Sequence, residues 1–343
     1  MNMWKLGAYY TVKPFLPRWL RMAMRRVHAW KMESAFADEW PIKEEAGQPP
    51  ERWPGWPFGK RFALALTHDV ETQTGLDRCQ QLMELDMRLG FRSSFNFVPE
   101  GNYQISKELR ELLTRNGFEV GLHDLKHDGK LYRSRSTFRD SAKRMNQYLS
   151  EWNVVGFRSG FMHHNLEWLH DLKIDYDSST FDTDPFEPQP DGVNTIFPFW
   201  VRGPGETSGY MELPYTLPQD STLFLVLRKK SIDLWKRKLD WVAAHGGMAL
   251  VNAHPDYMSF GGLRNPGCEY PSAYYSELLE FVREKYDGQF WPALPREVAA
   301  YCAEFKPNRP APLAKGTRRV RSKTGHDGLN ASEVGLGATL PRS

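Results

Sequence analysis

Residues 64–72, LALTHDVET, begin as an apolar strand and end in ionisable groups. A charge carried into an apolar interior without a partner is costly. The stretch therefore predicts either a strand that surfaces or a strand whose end lines a polar pocket. Side chains two apart on a strand share a face. Asp69 and Glu71 thus look one way, and His68 is expected to turn away from them and pack.

Outward from this strand, short apolar runs alternate with helical patterns. Strands are expected at 61–70, 91–98, 118–122, 154–159, 173–179, 196–201, 210–214 and 247–254. Helices are expected at 77–89, 106–116, 136–151, 165–172, 231–245, 272–285 and 295–304. Such alternation predicts an α/β fold with a parallel sheet covered by helices. Strands apolar almost throughout fit a sheet buried on both faces. For 343 residues a closed or nearly closed barrel fits best. In such barrels the chemistry sits at the C-terminal ends of the strands.

Those ends carry the polar groups. The first delivers Asp69 and Glu71, the third His123 and His127, and the next Arg158. Asp177 follows in YDSS, and His254 in VNAHPD. His123 and His127 are spaced i, i+4, so on one helical turn both imidazoles face the same way and form a fork for a divalent metal. Two histidines and one carboxylate with an open position make a catalytic metal set. Either Asp69 or Glu71 can supply that carboxylate while the other takes a proton from a bound water. His163 and His164 read as loop residues, with substrate contact the second reading. Asp182 and Asp184 read as turn residues that can also line the pocket.

Composition narrows the function classes. No stretch approaches the roughly 18 to 20 apolar residues that span a bilayer. The N-terminus lacks a secretory pattern, because Pro14 and Pro17 interrupt it and arginines follow, so a cytoplasmic protein is expected. Cys79, Cys268 and Cys302 form no CxxC cluster, which argues against a cysteine zinc site. Residues 1–32 contain seven Lys/Arg and no acid, and the last segment is basic too, so the region between them is acidic. An acidic body argues against nucleic-acid binding. The expected organisation is a basic N-terminal helix and linker over 1–54, a barrel over 55–305, and a disordered basic tail over 306–343. Within the first segment, Trp19, Leu20, Ala23, Met24, Val27 and Trp30 fall on one helical stripe. Two readings stay open: the stripe packs on the acidic body, or it gives weak peripheral contact with the inner face of an anionic membrane through residues 1–32. Oligomeric state is not legible.

With these motifs in view, the chain resembles the polysaccharide deacetylases of the NodB-homology type, carbohydrate esterase family four, over roughly residues 60–300. The family's first motif, usually TFDDG, is similar to Thr67-His68-Asp69-Val70-Glu71, closer to a THDVD-type variant. The resemblance implies that Asp69 is the catalytic base and Glu71 the metal carboxylate, with Val70 in the position usually taken by that acid. The second motif resembles His123-Asp124-Leu125-Lys126-His127 and implies two metal ligands. The third resembles Arg158-Ser159-Gly160-Phe161, with Gly160 replacing a proline, and implies that Arg158 orients Asp69. Asp177 is the candidate for the fourth. The fifth resembles Leu250-Val251-Asn252-Ala253-His254 and implies that His254 is the general acid. A distorted (β/α) barrel of about seven parallel strands, a divalent metal, Zn2+ in the first instance, and an N-acetylated sugar of a glycan or its precursor are the corresponding expectations. Exopolysaccharide biosynthesis is the setting these suggest. Hydrolysis of another amide or ureido C–N bond, or an inactive sugar-binding barrel, are the competing expectations.

Overall fold

The computed structural model describes residues 18–205, 208–262, 265 and 267–310, with backbone alone for 18–22. The helices are α1 (Arg18–Ala35), α2 (Gln73–Leu89), α3 (Lys107–Arg115), α4 (Arg135–Trp152), α5 (Asp233–His245), α6 (Ala273–Tyr286) and α7 (Pro295–Ala303). The strands are β1 (Phe62–Val70), β2 (Ser94–Phe97), β3 (Glu119–His123), β4 (Gly156–Arg158), β5 (Tyr176–Asp177), β6 (Phe199–Arg202), β7 (Gly209–Glu212), β8 (Met248–Ala253), β9 (Met258–Ser259), β10 (Tyr270–Pro271) and β11 (Phe290–Pro292).

β1 is the spine. It pairs in parallel with β8 from Ala63 to His68, with β2 from Thr67 to Val70, and with β11 from Phe62 to Leu64. The parallel order β8-β1-β2-β3-β4-β5-β7 then curls round, and β6 runs antiparallel on β7. The chain after β7 reaches back to β8: the Thr216 and Leu217 amides donate to the Leu250 carbonyl, and the Thr216 hydroxyl donates to Met248 O at 2.8 Å. The distorted parallel barrel expected from the sequence is thus present.

Its two faces explain the apolar strands. Ala63 and Ala65 point inward with Met248, Leu250, Tyr176, Met211 and Leu213. Leu64, Leu66 and Val70 point outward into the layer under the helices, with Leu82, Leu85, Leu278 and Leu279. Small alanines on β1 leave room for the larger inward residues opposite. Burial on both faces leaves no position for polar alternation, so all nine residues of β1 are buried. Ser106 and Ser134 start α3 and α4 by accepting from the amides of Leu109 and Thr137.

The structure departs from expectation in several places. The helix expected at 165–172 is one short turn, Trp168–Asp171, and the strand at 173–179 shrinks to Tyr176–Asp177. β11 was not foreseen, because Phe290–Pro292 is three residues long and ends in proline. The segment before the barrel is not a bare linker. Trp56 is buried against Ala63, Met248 and Val298, and its Nε1 donates to Gly246 O at 2.8 Å. The basic tail is docked where it begins: Trp200 N donates to Pro307 O at 2.8 Å, and Arg309 lies 5.7 Å from the Phe199 ring centre. The exposed edge of β6 gives this stretch a backbone partner. The disorder expected further on, from residue 311, lies outside the described residues.

Candidate active site and metal centre

The inward face of β1 continues past its alanines into Thr67, Asp69 and Glu71. Asp69 is buried and held on both oxygens. Asn96 Nδ2 and Arg158 Nη1 donate to Oδ1 at 2.9 and 3.2 Å, and Asn252 Nδ2 donates to Oδ2 at 2.9 Å. Arg158 is itself buried; Nη1 also donates to Thr67 Oγ1 and Asn252 Oδ1 at 2.8 Å, while Nε and Nη2 donate to Ser178. Burial alone would raise the Asp69 pKa, but Arg158, His123, His254 and the Asn96 hydrogen bond outweigh it and hold the carboxyl well below the usual carboxylate range.

Glu71 faces a second group of partners. Its Oε1 lies 3.2 Å from His127 Nε2, and its Oε2 accepts from Tyr257 Oη at 2.8 Å. Here too burial opposes ionisation, and His127, His254 and His123 override it, keeping the acid well below its ordinary value. Asp256 accepts the Glu71 amide at 3.0 Å, which fixes the backbone just past β1.

The histidine fork is not built on a helix. His123 ends β3, and the following loop takes left-handed backbone at Asp124 (φ 59°) and again at His127 (φ 52°). These two kinks, rather than a helical turn, bring the rings together with centres 4.9 Å apart. Phe161 stacks on the other side of His127 at 4.4 Å. Gly160 is needed beneath them: a Cβ there would lie 2.7 Å from His127 Cδ2 and 2.6 Å from Asp124 Oδ2. A side chain at that position, proline included, would require the loop to shift.

Glu71, His123 and His127 place one ligand atom each within 4.8 Å of one another. The fit to a divalent metal rests on the nitrogens. His123 Nδ1 lies 3.1 Å from the Arg158 carbonyl, an acceptor that fixes the proton on Nδ1 and turns the Nε2 lone pair inward. The Nε2 atom of His123 is buried with no hydrogen-bond partner, and the buried Nε2 of His127 has only the Glu71 carboxylate beside it, at 3.2 Å. Such atoms are expensive to leave unpaired, and two imidazoles with one carboxylate suit a divalent ion.

His254, just past the end of β8, reaches the same two acids. Its Nε2 is 4.0 Å from Asp69 Oδ2 and 3.8 Å from Glu71 Oε1. Its Nδ1 meets Asp220 Oδ1 at 2.6 Å, and its amide donates to Asp220 Oδ2 at 2.7 Å. Burial would lower the imidazole pKa, but Asp220, Glu71 and Asp69 carry it up to about 10, so the ring is a cation at neutral pH.

Of the sequence candidates, Asp69, Glu71, His123, His127, Arg158 and His254 converge. Asp177 stands apart. Its carboxyl accepts from the Ser179 amide and hydroxyl at 3.0 and 2.6 Å and neighbours Glu212 across the β5–β7 register. The acid that carries a partner role at His254 is Asp220, which the motif reading did not single out; it precedes an irregular turn and has no strand pattern to mark it. Asn96 on β2 and Asn252 on β8 also belong to the site, as polar residues at inward strand positions. His68 turns outward as expected and contacts Ala253 O and Asp86. Asp182 is buried against Lys238 at 2.5 Å.

No family model and no curated sequence matches the chain. Solved structures do. A candidate polysaccharide deacetylase from Mycobacterium smegmatis is 19% identical, with a TM-score of 0.57 over 78% of this chain and 98% of that one. PuuE allantoinase is 13% identical, also with a TM-score of 0.57, over 78% and 99%. A 4-alpha-glucanotransferase from Thermococcus litoralis is 12% identical with a TM-score of 0.50, over 72% of this chain and 41% of that one. Three chemistries on similar barrels show that fold does not choose the reaction. What the likeness establishes is the architecture: the chain has the NodB-like fold of the family-four carbohydrate esterases.

Proposed function

We propose that the protein is a metal-dependent hydrolase that removes acetyl groups from N-acetylated sugars of a polysaccharide or its precursor, with zinc as the resident ion. The observation that carries the reading is the convergence of Asp69 and His254 beside the Glu71/His123/His127 cluster, with His254 Nε2 3.8 Å from Glu71 Oε1 and 4.0 Å from Asp69 Oδ2. A divalent ion bound there supplies Lewis-acid polarisation of the acyl oxygen and acidifies a water. Asp69, anchored by Arg158, Asn96 and Asn252, would accept a proton from the attacking water. His254, kept cationic by Asp220, donates a proton to the departing amine, which is a poor leaving group without one. Glu71, braced by Tyr257, would serve as the ligand carboxylate, because it and not Asp69 groups with both imidazoles.

The test is acetate release from N-acetylated oligosaccharides, read together with bound metal. Wild type is expected to carry about one divalent ion and release acetate; a His123→Ala/His127→Ala variant is expected to do neither. Equal metal in both would overturn the ligand assignment. A second reading is hydrolysis of another non-peptide C–N bond of the amide or ureido kind, favoured by an allantoinase likeness equal in TM-score to that of the deacetylase. Turnover of a cyclic ureide with no acetate release from any glycan would select it.

A further inference from the structure

α1 rests on the body by one edge. Arg26 donates from Nε to Leu225 O at 3.1 Å and from Nη2 to Gly267 O at 2.9 Å. Ala29 is buried, and Glu33 pairs with Lys229 at 2.5 Å. The large apolar side chains are elsewhere. Met24, Val27 and Trp30 are 54%, 59% and 70% exposed. With Phe36 and Phe58 they make up the exposed large hydrophobics among the described residues, so this stripe is the main one. The packing that would have explained it away is absent from the described part of the helix. A contiguous exposed apolar stripe marks a contact surface.

Charge specifies the kind of partner. Exposed Arg25 and Lys31 flank the stripe on the helix, and exposed Arg228 and Lys230 flank it from the adjoining turn. The nearest acid on the helix, Glu33, is taken by Lys229. A groove of about 390 Å³ separates helix and turn, lined by Ala23, Trp30, Val226, Leu227 and the facing Arg26 and Arg228, with Glu33 at its edge. Burial and then the neighbouring Arg228 charge lower the Arg26 pKa, as expected of two guanidinium groups facing each other. An apolar wedge with tryptophan, rimmed by cations on both sides, matches a lipid interface better than an acidic protein face, which would leave the wedge in water.

We infer that α1 and the 226–230 turn form a docking surface for an anionic membrane. Met24, Val27 and Trp30 enter the headgroup–acyl boundary, and the Arg26/Arg228 groove receives a lipid phosphate. The surface is joined along the chain to one residue of the candidate active site. The turn that Arg26 grips, Ser221–Val226, begins directly after Asp220, the residue that holds His254. The inference stands on α1 and the turn beside it, and survives any revision of the reaction.

The experiment uses the full chain and vesicles of phosphatidylcholine with and without phosphatidylglycerol. The protein is expected to sediment with the anionic vesicles at low salt, to be released by high salt, and to stay in solution with neutral ones. Each cation near a charged bilayer contributes about fivefold in partitioning, so Arg228→Glu is expected to lower binding by at least that factor. Val27→Ser/Trp30→Ser is expected to abolish it while leaving the thermal melt unchanged, since both side chains are exposed. Three results would overturn the proposal: wild type remaining soluble with anionic vesicles at low salt, equal sedimentation with both vesicle types, or Arg228→Glu binding like wild type. A concentration-dependent dimer lost in Val27→Ser/Trp30→Ser, without vesicle binding, would assign the stripe to a second copy of the chain.

Discussion

Two carboxylate pairs sit at the ends of parallel strands in this barrel, and they behave in opposite ways. Asp69 and Glu71, at the end of β1, face a guanidinium and three imidazoles and remain ionised despite burial. Asp177 and Glu212, at the ends of β5 and β7, are as deeply buried, but their close partners are hydroxyls, amides and each other. Burial pushes both of their pKa values up, Glu212 well above its ordinary value, where the neighbouring Asp177 adds to the effect. One pair is held ionised beside its cations; the other is pushed toward the neutral form. Position at a strand end is therefore not sufficient for a catalytic acid. The cation within reach decides.

The largest effect expected from this contrast is on turnover. Asp69→Asn should cost about 10² to 10⁴-fold in kcat/KM, since it removes the proposed base, while Asp177→Asn should stay within about tenfold. Comparable losses in the two variants would erase the distinction. His254→Ala should lose about 10² to 10⁴-fold and keep its metal, which a combined activity and metal assay would read. Glu71→Gln should lower metal content more than Asp69→Asn does, and the reverse order would exchange the two roles.

Smaller effects concern stability. Arg158→Met leaves Asp69 buried without its cation, which typically costs about 3 to 5 kcal/mol; urea unfolding with and without the additional Asp69→Asn change would show partial recovery in the double variant if the pair is coupled. The neutral acids give a pH signature. Burial, with the Asp182 charge adding to it, raises Asp184 to about 7, and burial with the Asp184 charge raises Glu187 to about 8. Both pKa values lie above those of the unfolded chain, so the folded state binds the protons more tightly. Their contribution is full below the ordinary carboxylate range and is lost as pH rises through about 7 to 8. The melting temperature should fall over that window, and Glu187→Gln, which keeps the acceptor for Tyr215 and Gln219, should flatten the fall. An unchanged slope would mean that Glu187 is ionised throughout.

The same contrast shows what could be read in the sequence. β1 announced itself, because a run of apolar residues ending in two acids at i, i+2 has one economical explanation in a two-faced sheet. The histidines and Arg158 were visible as residue types at strand ends. Asp177 is visible for the same reason, yet its partners are Ser179 and the neighbouring Glu212, since the local pattern records an acid but not whether a cation lies across the barrel. Asp220 was invisible: its partner is 34 residues away, and the intervening turn has no periodicity. The loop between His123 and His127 was misread as helical because i, i+4 spacing cannot reveal two left-handed residues. On α1, periodicity located the apolar stripe but not the edge that packs, which is set by Arg26 reaching the carbonyls of Leu225 and Gly267.

β1 gains its neighbours on very different schedules as the chain is made. Its pairing with β2 can form early, from residues some two dozen positions downstream. The pairing with β8, and with it the Asn252 hydrogen bond to Asp69 spanning 183 residues, must wait for the last third of the chain. Until then Asp69 lacks one of its amide partners and Glu71 lacks Tyr257, 186 residues away. A nascent chain halted before β8 holds the histidine fork and both acids but not the frame that fixes them, so the reactive centre is completed late in synthesis, when long-range closure has become affordable.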